Sequence, residues 1–392
     1  MWSRVKRFFK IFGPGLVTGA SDDDPSGIAT YTQTGAQFSY APLWVPVFTL
    51  PLLIVVQEMC ARIGIVTGEG MVKNLRKKFS KHWVAGGIFL LTLACVFNVG
   101  ADLGMMAASA AQVLALPFSV WLLILIAFIL VLQIRLPYAT YARYLKWLTL
   151  VLAVYILLAG VVKIDWIHAL KATIIPSFQF TREFVLIVVA LLGTTVSPYL
   201  YFWQTDQEVE EEGLHLKKKT ISSITRYLNR SWIDVVVGMF WSNGTSWFII
   251  LTAAAVLHVN GLTHIETADQ ASRLLAPIAG KFAALLFALG VVGTGLLAVP
   301  VLTGVLAYAW CELCGVERGL SKKWREARIF YSIIIIATLI GATINFLGIG
   351  PVKLLIYSAI LNAVVAPPLL FAVMRVGSDS DILGKHTNKH IS

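Results

Sequence analysis

With 392 residues, 57% of them hydrophobic and only 14% charged, the chain is too apolar for a water-soluble domain, which is about 45–50% apolar and about 25% charged. A mean hydropathy of +0.76 and a net charge of +11 point to a polytopic membrane protein. In such a protein the basic excess sets orientation, and no nucleic-acid partner is expected. At about 20 apolar residues per span, ten or so spans exhaust the length, leave no sizeable soluble domain and put any functional site inside the membrane.

A basic segment, 1–10, comes first. The apolar run after it is interrupted by Gly13-Pro14-Gly15 and three aspartates, so it lacks the unbroken apolar core of a cleaved signal peptide. Apolar runs against polar punctuation predict spans over 12–38, 42–66, 83–116, 118–133 and 145–162. A second set follows over 184–204, 232–257, 279–313, 329–346 and 352–374. With the N-terminus cytoplasmic, 25 of the 32 Lys and Arg residues fall in inner segments and six in outer ones. That bias predicts both termini inside and a multi-pass protein of the plasma (inner) membrane.

Five helices is an odd number, so the second five begin on the opposite side of the membrane from the first and form an inverted repeat. The expected organisation is a cytoplasmic N-terminus (1–10), a first five-helix repeat (11–163), an extracellular linker (164–183), a second repeat (184–375) and a cytoplasmic tail (376–392). In such architectures the substrate lies where the first helix of each half is broken near the midplane.

Two such breaks are visible. The first span holds Ser21-Asp22-Asp23-Asp24-Pro25-Ser26-Gly27. Three carboxylates inside an apolar span are costly against lipid and must face water, a cavity or a cation, while Pro25 and Gly27 favour local unwinding. The sixth span holds Gly193-Thr194-Thr195-Val196-Ser197-Pro198-Tyr199, with Pro198 173 residues after Pro25. Unwound backbone from both, with the aspartates and the Ser197 hydroxyl, makes an oxygen-only nest suited to hard cations such as Mg²⁺, Ca²⁺ or Mn²⁺. The plainer alternative is a solvated turn at Asp22–Asp24 and an ordinary kink at Pro198.

At these residues the sequence resembles the Nramp family of divalent-metal transporters. Gly13-Pro14-Gly15, Asp24-Pro25-Ser26-Gly27 and Thr34 to Tyr40 resemble its first helix, with the motif D-P-G-N. Gln57 to Gly68 is similar to its second, Asp102-Leu103-Gly104-Met105 to the D-L-A-E of its third, and Gly193 to Tyr199 to the G-A-T-V-M-P-H of its sixth. The resemblance implies an all-α membrane protein of LeuT-like fold, ten helices in a 5+5 inverted repeat with helices 1 and 6 broken, working by alternating access.

Asp24 matches the family's ligand aspartate, but the rest of the site departs. The ligand asparagine is Gly27 and the soft-metal-selecting methionine is Ser197. Losing thioether sulfur removes the preference for transition metals. Losing the asparagine side chain leaves a roomier pocket for an ion that keeps part of its water shell, as Mg²⁺ does. The pattern resembles the family's magnesium-transporting branch. The glutamate and histidine implicated in proton movement are Met105 and Tyr199, so uncoupled entry of Mg²⁺, and also Mn²⁺, is expected.

The expected metal site is Asp24, Gly27, Thr194, Ser197 and Asp23, with Asp22, Asp102, Tyr199 and Asn362 in the pathway or second shell. Asp102 is divided between a pathway role and a structural hydrogen bond, and Asn362 inclines to a helix–helix hydrogen bond. No cofactor is expected; the divalent ion is cargo.

A proton-coupled Mn²⁺ or Fe²⁺ symporter is the nearest rival, with Asp102 or Asp23 as proton acceptor. An amino-acid carrier fits poorly, because three aspartates repel a substrate carboxylate. No H-E-x-x-H or G-x-S-x-G motif supports an enzyme. Cys311-x-x-Cys314 alone cannot close a zinc site. The acidic run Glu208 to Glu212 with Lys217 to Lys219 is expected as a solvated linker, and the tail with His386 and His390 as disordered. Trp2, Trp83, Trp166 and Trp232 are expected interface anchors. No small-xxx-small face argues for a dimer, so the oligomeric state stays open.

Overall fold

The computed structural model describes residues 13–136, 140, 151–215 and 221–387, and among them the chain is helical with no strand. Two half-helices come first, α1 (Pro14–Asp22) and α2 (Pro25–Phe38), then α3 (Trp44–Thr67), the amphipathic α4 (Met71–Lys78), α5 (Lys81–Val113), α6 (Phe118–Arg135) and α7 (Ala153–Val161). A connecting helix, α8 (Trp166–Ile174), precedes a second pair of half-helices, α9 (Arg182–Thr195) and α10 (Pro198–His215). These lead to α11 (Ile221–Ala253), α12 (Ala283–Cys314), α13 (Arg328–Thr343) and α14 (Pro351–Gly377).

Among the described residues eight helical stretches are long and apolar enough to cross a membrane. The two remaining predicted spans have identifiable reasons for falling short. The first is cut at Asp23–Asp24 into pieces of 9 and 14 residues. The fifth, 145–162, is described only from residue 151.

Each break is made by local chemistry. The residue two before each proline closes the preceding half-helix with the same ψ of 50°, Asp23 in the first and Val196 in the second. Asp24 is then forced extended (φ −70°, ψ 174°), as a residue before proline prefers. Pro25 and Pro198 restart helices at the position where a missing N–H costs nothing. The two breaks thus share backbone geometry as well as sequence register.

The connections depart from expectation in two places. The run Glu208 to Glu211 is not a solvated linker: it continues α10 well beyond residue 204, with Glu208 buried and hydrogen-bonded to Gln204 (3.0 Å) and Ser231 (2.6 Å). Lys217 to Lys219 lie outside the described residues. The segment after α14 is ordered through residue 387, because Asp379 caps a short helix (Ser380–Leu383), pairs with Lys78 and is buried along with Leu383; His390 lies outside the described residues. The linker 164–183 carries α8, capped by Asp165 and tied to α11 by Trp247 Nε1 donating to Thr173 (3.1 Å).

Packing sets the position of the breaks. α5 crosses α12, α1 and α2 both lie on α11, and α9 packs on α14. The α1–α11 contact is backbone against backbone: a Cβ on Gly19 would stand 2.3 Å from the Gly238 carbonyl oxygen, and one on Gly238 would stand 2.3 Å from that of Gly15. Gly15-x-x-x-Gly19 is therefore a small-residue seam consumed inside the protomer. Gly19→Val should lower stability by at least about 1–3 kcal/mol through overpacking, read as a lower thermal midpoint in detergent. Gly86→Val, on α5 with no heavy atom within 4 Å of the added Cβ, should leave the midpoint unchanged.

Candidate functional site

The site grows from the cap of α2. Asp24 Oδ1 accepts from the Gly27 N–H at 2.7 Å, an N-cap onto the third helical residue, which places the carboxylate at the positive end of the helix dipole. Its Oδ2 accepts from Asn98 Nδ2 on α5 at 3.0 Å, and Asn98 Oδ1 in turn accepts from the Ser358 hydroxyl on α14 at 2.6 Å. Three elements thus fix one carboxylate. Ser26 adds a fourth tie, its hydroxyl donating to the Leu355 carbonyl at 3.2 Å.

Asp22 and Asp23 turn the other way. Ser242 on α11 donates to Asp22 Oδ2 (2.9 Å) and lies 3.3 Å from Asp23 Oδ1. Asp22 Oδ1 and Asp23 Oδ2 are buried without a hydrogen-bond partner. At 1%, 0% and 3% exposure for Asp22, Asp23 and Asp24, the solvated-turn reading is excluded. Asp102, one turn beyond Asn98 on α5, faces Asp24 and the Ser26 amide, and neither of its carboxylate oxygens has a hydrogen-bond partner.

The second break presents oxygens of a different kind. The Ser197 hydroxyl donates back to the carbonyls of Gly193 (3.1 Å) and Thr194 (2.9 Å), leaving its own lone pairs free to accept. Thr194 lies beside the Tyr31 hydroxyl, which joins the end of α9 to the middle of α2. Tyr199 donates to the Ser21 carbonyl at 3.1 Å, tying the start of α10 to the end of α1. Asn362, buried on α14, makes no helix–helix hydrogen bond through its Oδ1.

Gly27 does not simply open space. A Cβ there would stand 3.1 Å from the Tyr31 ring, 3.3 Å from the Tyr31 hydroxyl and 3.3 Å from the Asp22 carbonyl oxygen. The volume of the family's asparagine side chain is bounded here by the Tyr31 phenol oxygen and a backbone oxygen. Asn98, Ser242, Ser358 and Tyr31 are therefore parts of the site that sequence reasoning missed. The signals were present: Asn98 stands four residues before Asp102 on the same helical face, and Ser242 opens the polar run Ser242-Asn243-Gly244-Thr245-Ser246 inside a span.

Two electrostatic facts define what the arrangement can do. None of the four buried aspartates is ion-paired among the described residues. Burying an ionised carboxylate unpaired costs several kcal/mol, so the site favours a cation or protons. Among the described residues no three His, Cys, Asp or Glu side chains converge to hold a metal by themselves. A cation here would be held by few carboxylates together with hydroxyls, carbonyls and water.

Toward the N-terminal end of α1 the bundle is latched. Asp234 on α11 accepts from the first-turn amides of α1, Gly15 at 2.7 Å and Leu16 at 3.2 Å, and Thr18 donates to Gln204 on α10 at 2.5 Å. Farther in, Arg318 pairs with Glu312 at 2.7 Å and stands 3.9 Å from Asp206. Burial works against the guanidinium's charge, but these two carboxylates outweigh it and raise its pKa further. Cys311 is buried and Cys314 exposed, both as free thiols.

Removing the donor to Asp24 tests the site without touching a proposed ligand. Asn98→Ala should weaken divalent-cation binding about 10–100-fold, as loss of a partner that orients a metal ligand does; isothermal titration of the purified protein checks it. Asn98→Asp, which replaces the donor by a like charge, should not restore affinity.

Residues 15–392 match the family model described as natural resistance-associated macrophage protein-like. The "Divalent metal cation transporter MntH" of Pectobacterium carotovorum is 25% identical over 403 residues, covering 98% of this chain and 90% of that protein. The protein of the same description from Erwinia tasmaniensis is 28% identical over 308 residues, covering 75% and 70%. Among solved structures, the Eremococcus coleocola manganese transporter in complex with an aromatic bis-isothiourea substituted compound superposes with a TM-score of 0.77. It is 16% identical, with 96% of this chain and 81% of that one covered. A nucleobase-cation-symport-1 family transporter in a closed conformation superposes with a TM-score of 0.61 at 13% identity, with 95% and 81% covered. These likenesses establish the LeuT-like fold. With a family match over nearly its whole length, the chain belongs to the Nramp family, whose members are membrane transporters and not enzymes.

Proposed function

We propose that this protein is a divalent cation transporter working by alternating access, which carries Mg²⁺, and also Mn²⁺, inward without proton coupling. The observation that carries the reading is the set of four buried, unpaired carboxylates around the first helix break, with the second break tied beside it by Tyr199 donating to the Ser21 carbonyl. The names of the relatives, divalent metal cation transporters and a manganese transporter, support the cation class.

The choice of Mg²⁺ rests on donor chemistry. Ser197 puts a hard hydroxyl where the family pattern has sulfur, and soft ligands are what distinguish transition metals from abundant hard ions. Mg²⁺ dehydrates reluctantly and is held by one or two carboxylates plus waters. Asp24 is the direct or water-mediated ligand, with Asp23, the Thr194 and Ser197 oxygens and the backbone around Gly27 completing the shell. Asp22, Asp102, Tyr199 and Asn362 line the approach.

Absence of coupling rests on Met105 and Tyr199. A thioether has no proton to exchange, and a phenol with an ordinary pKa near 10 holds its proton at neutral pH. The membrane potential alone then drives entry, with about 4.6 kcal/mol per 100 mV for a divalent ion, from about 2.3 per charge. The same reading places the protein in the plasma (inner) membrane with both termini cytoplasmic, two five-helix repeats over 11–163 and 184–375, and the linker 164–183 outside.

Proteoliposomes loaded with Mg²⁺- and pH-sensitive dyes test both halves of the proposal. Wild type should admit Mg²⁺ without acidification, and Asp24→Ala should abolish the influx. Mn²⁺ entering together with protons, with no Mg²⁺ influx, would instead support a proton-coupled Mn²⁺/Fe²⁺ symporter using Asp102 or Asp23. A gain-of-function variant addresses selectivity: Ser197→Met should improve binding of Cd²⁺ over Mg²⁺ by about tenfold or more, since the added thioether favours the softer ion. Competition titration reads that ratio directly.

A further inference from the structure

At the inner end of α6, on the basic side of the bundle, a cleft of about 610 Å³ is lined by Ile134, Arg135, Lys323, Trp324 and Arg325. Its volume lies within the range of about 300–1,000 Å³ in which proteins hold small organic ligands. Two residues come from α6 and three from the loop between α12 and α13. We infer that this cleft binds the phosphate headgroup of an anionic glycerophospholipid of the inner leaflet.

Charge is the first argument. Arg135, Lys323 and Arg325 make no ion pair among the described residues. The neighbouring Lys322, by contrast, is neutralised by Glu317. Glu326, the carboxylate next to the cleft in sequence, accepts from the Lys323 backbone amide at 3.1 Å. Arg135, Lys323 and Arg325 thus line one mostly apolar opening without a carboxylate partner, residue types that suit phosphate oxygens.

Position is the second. α6 is the most lipid-facing of the candidate spans, with only 28% of its apolar window buried. Around the cleft the neighbouring faces are greasy and uncovered: Val131 is 57% exposed on α6 and Ile329 55% exposed at the start of α13. Trp324, half-buried against Tyr331 with ring centroids 5.9 Å apart, provides the amphipathic ring that suits the headgroup level. Cations above and bare apolar helix faces below select a lipid over a soluble anion, and basic pockets between transmembrane helices on this side of a bilayer are known headgroup sites.

Native mass spectrometry of the full chain in micelles containing equal phosphatidylglycerol and phosphatidylcholine tests the assignment. Wild type should retain phosphatidylglycerol in preference. The triple variant Arg135→Gln, Lys323→Gln, Arg325→Gln should lose that preference by about fivefold per cation removed. Lys77→Gln, which removes a cation from the distant α4, should keep it. Equal retention of both lipids by wild type, or undiminished preference in the triple variant, overturns the inference. So does displacement of the retained lipid by millimolar inorganic phosphate, which would mark a site for a soluble anion. Should the triple variant not fold, Arg325→Glu on the exposed loop gives the same reading with a single change.

Discussion

Carboxylates placed in a membrane interior without a cationic side chain against them are the constraint on which this structure turns. Asp22, Asp23, Asp24 and Asp102 are all buried, and four of their oxygens have no hydrogen-bond partner. What the protein supplies in place of a lysine or arginine is partial charge: the N-terminal end of α2 under Asp24, the Asn98 amide, the Ser242 hydroxyl. These donors stabilise the ionised form in part and stop short of neutralising it. A lysine there would complete the electrostatics and leave nothing for a divalent ion to contribute. On the proposed reading, the incomplete compensation is the feature that would give a cation its binding energy, and the helix break is what allows the donors to reach.

The breaks were legible in the sequence because they are local. Proline two residues after a non-helical position, an aspartate able to cap the helix that follows, and a spacing close to half the chain are properties of short segments, and the shared ψ of Asp23 and Val196 bears them out. What stayed hidden depends on which way a helix faces. Asn98, Ser242 and Ser358 are single polar residues in apolar spans, and only packing of α5, α11 and α14 around the break turns them toward one another. Tyr31 was hidden for a related reason. Its hydroxyl occupies the edge of the space at Gly27, so a substitution that reads as pure loss of a side chain is a replacement of an amide by a phenol from one turn away.

Charge patterning misled where burial overrode it. Glu208 to Glu211 has the composition of a solvated surface, yet Glu208 is held by Gln204 and Ser231, and Glu210 accepts from Tyr308 at 2.6 Å and the Leu320 amide at 2.8 Å. Acidic residues in the second half of a broken helix serve here as hydrogen-bond acceptors that bind that half-helix to its neighbours. The seam at Gly15 and Gly19 shows the same limit of sequence reading. A small-residue face states that backbones approach closely, and the partner, here α11 of the same chain, is set by the fold.

The two halves of the first broken helix are held to α11 and its flanks by separate sets of bonds, and this separation bears on alternating access. Before the break α1 is held by Asp234, Gln204 and Tyr199. After the break Gln33 of α2 donates to the Thr263 carbonyl at 3.1 Å and accepts from the Ile265 amide at 2.8 Å, while His258 Nδ1 bonds the Ala36 carbonyl at 2.8 Å. Each bond exchanged for water changes stability by only about 0.5–1.5 kcal/mol. A set of three or four therefore amounts to a few kcal/mol, the range in which a minor conformation is still populated at about 0.1–10%. The sets share no residue, and although both halves also lie on α11, the chain joining them is only the two-residue gap at Asp23–Asp24, so one set can open while the other holds. If the proposed cation sits against Asp24, which caps α2 two residues after the end of α1, its arrival and departure would act where the two halves join.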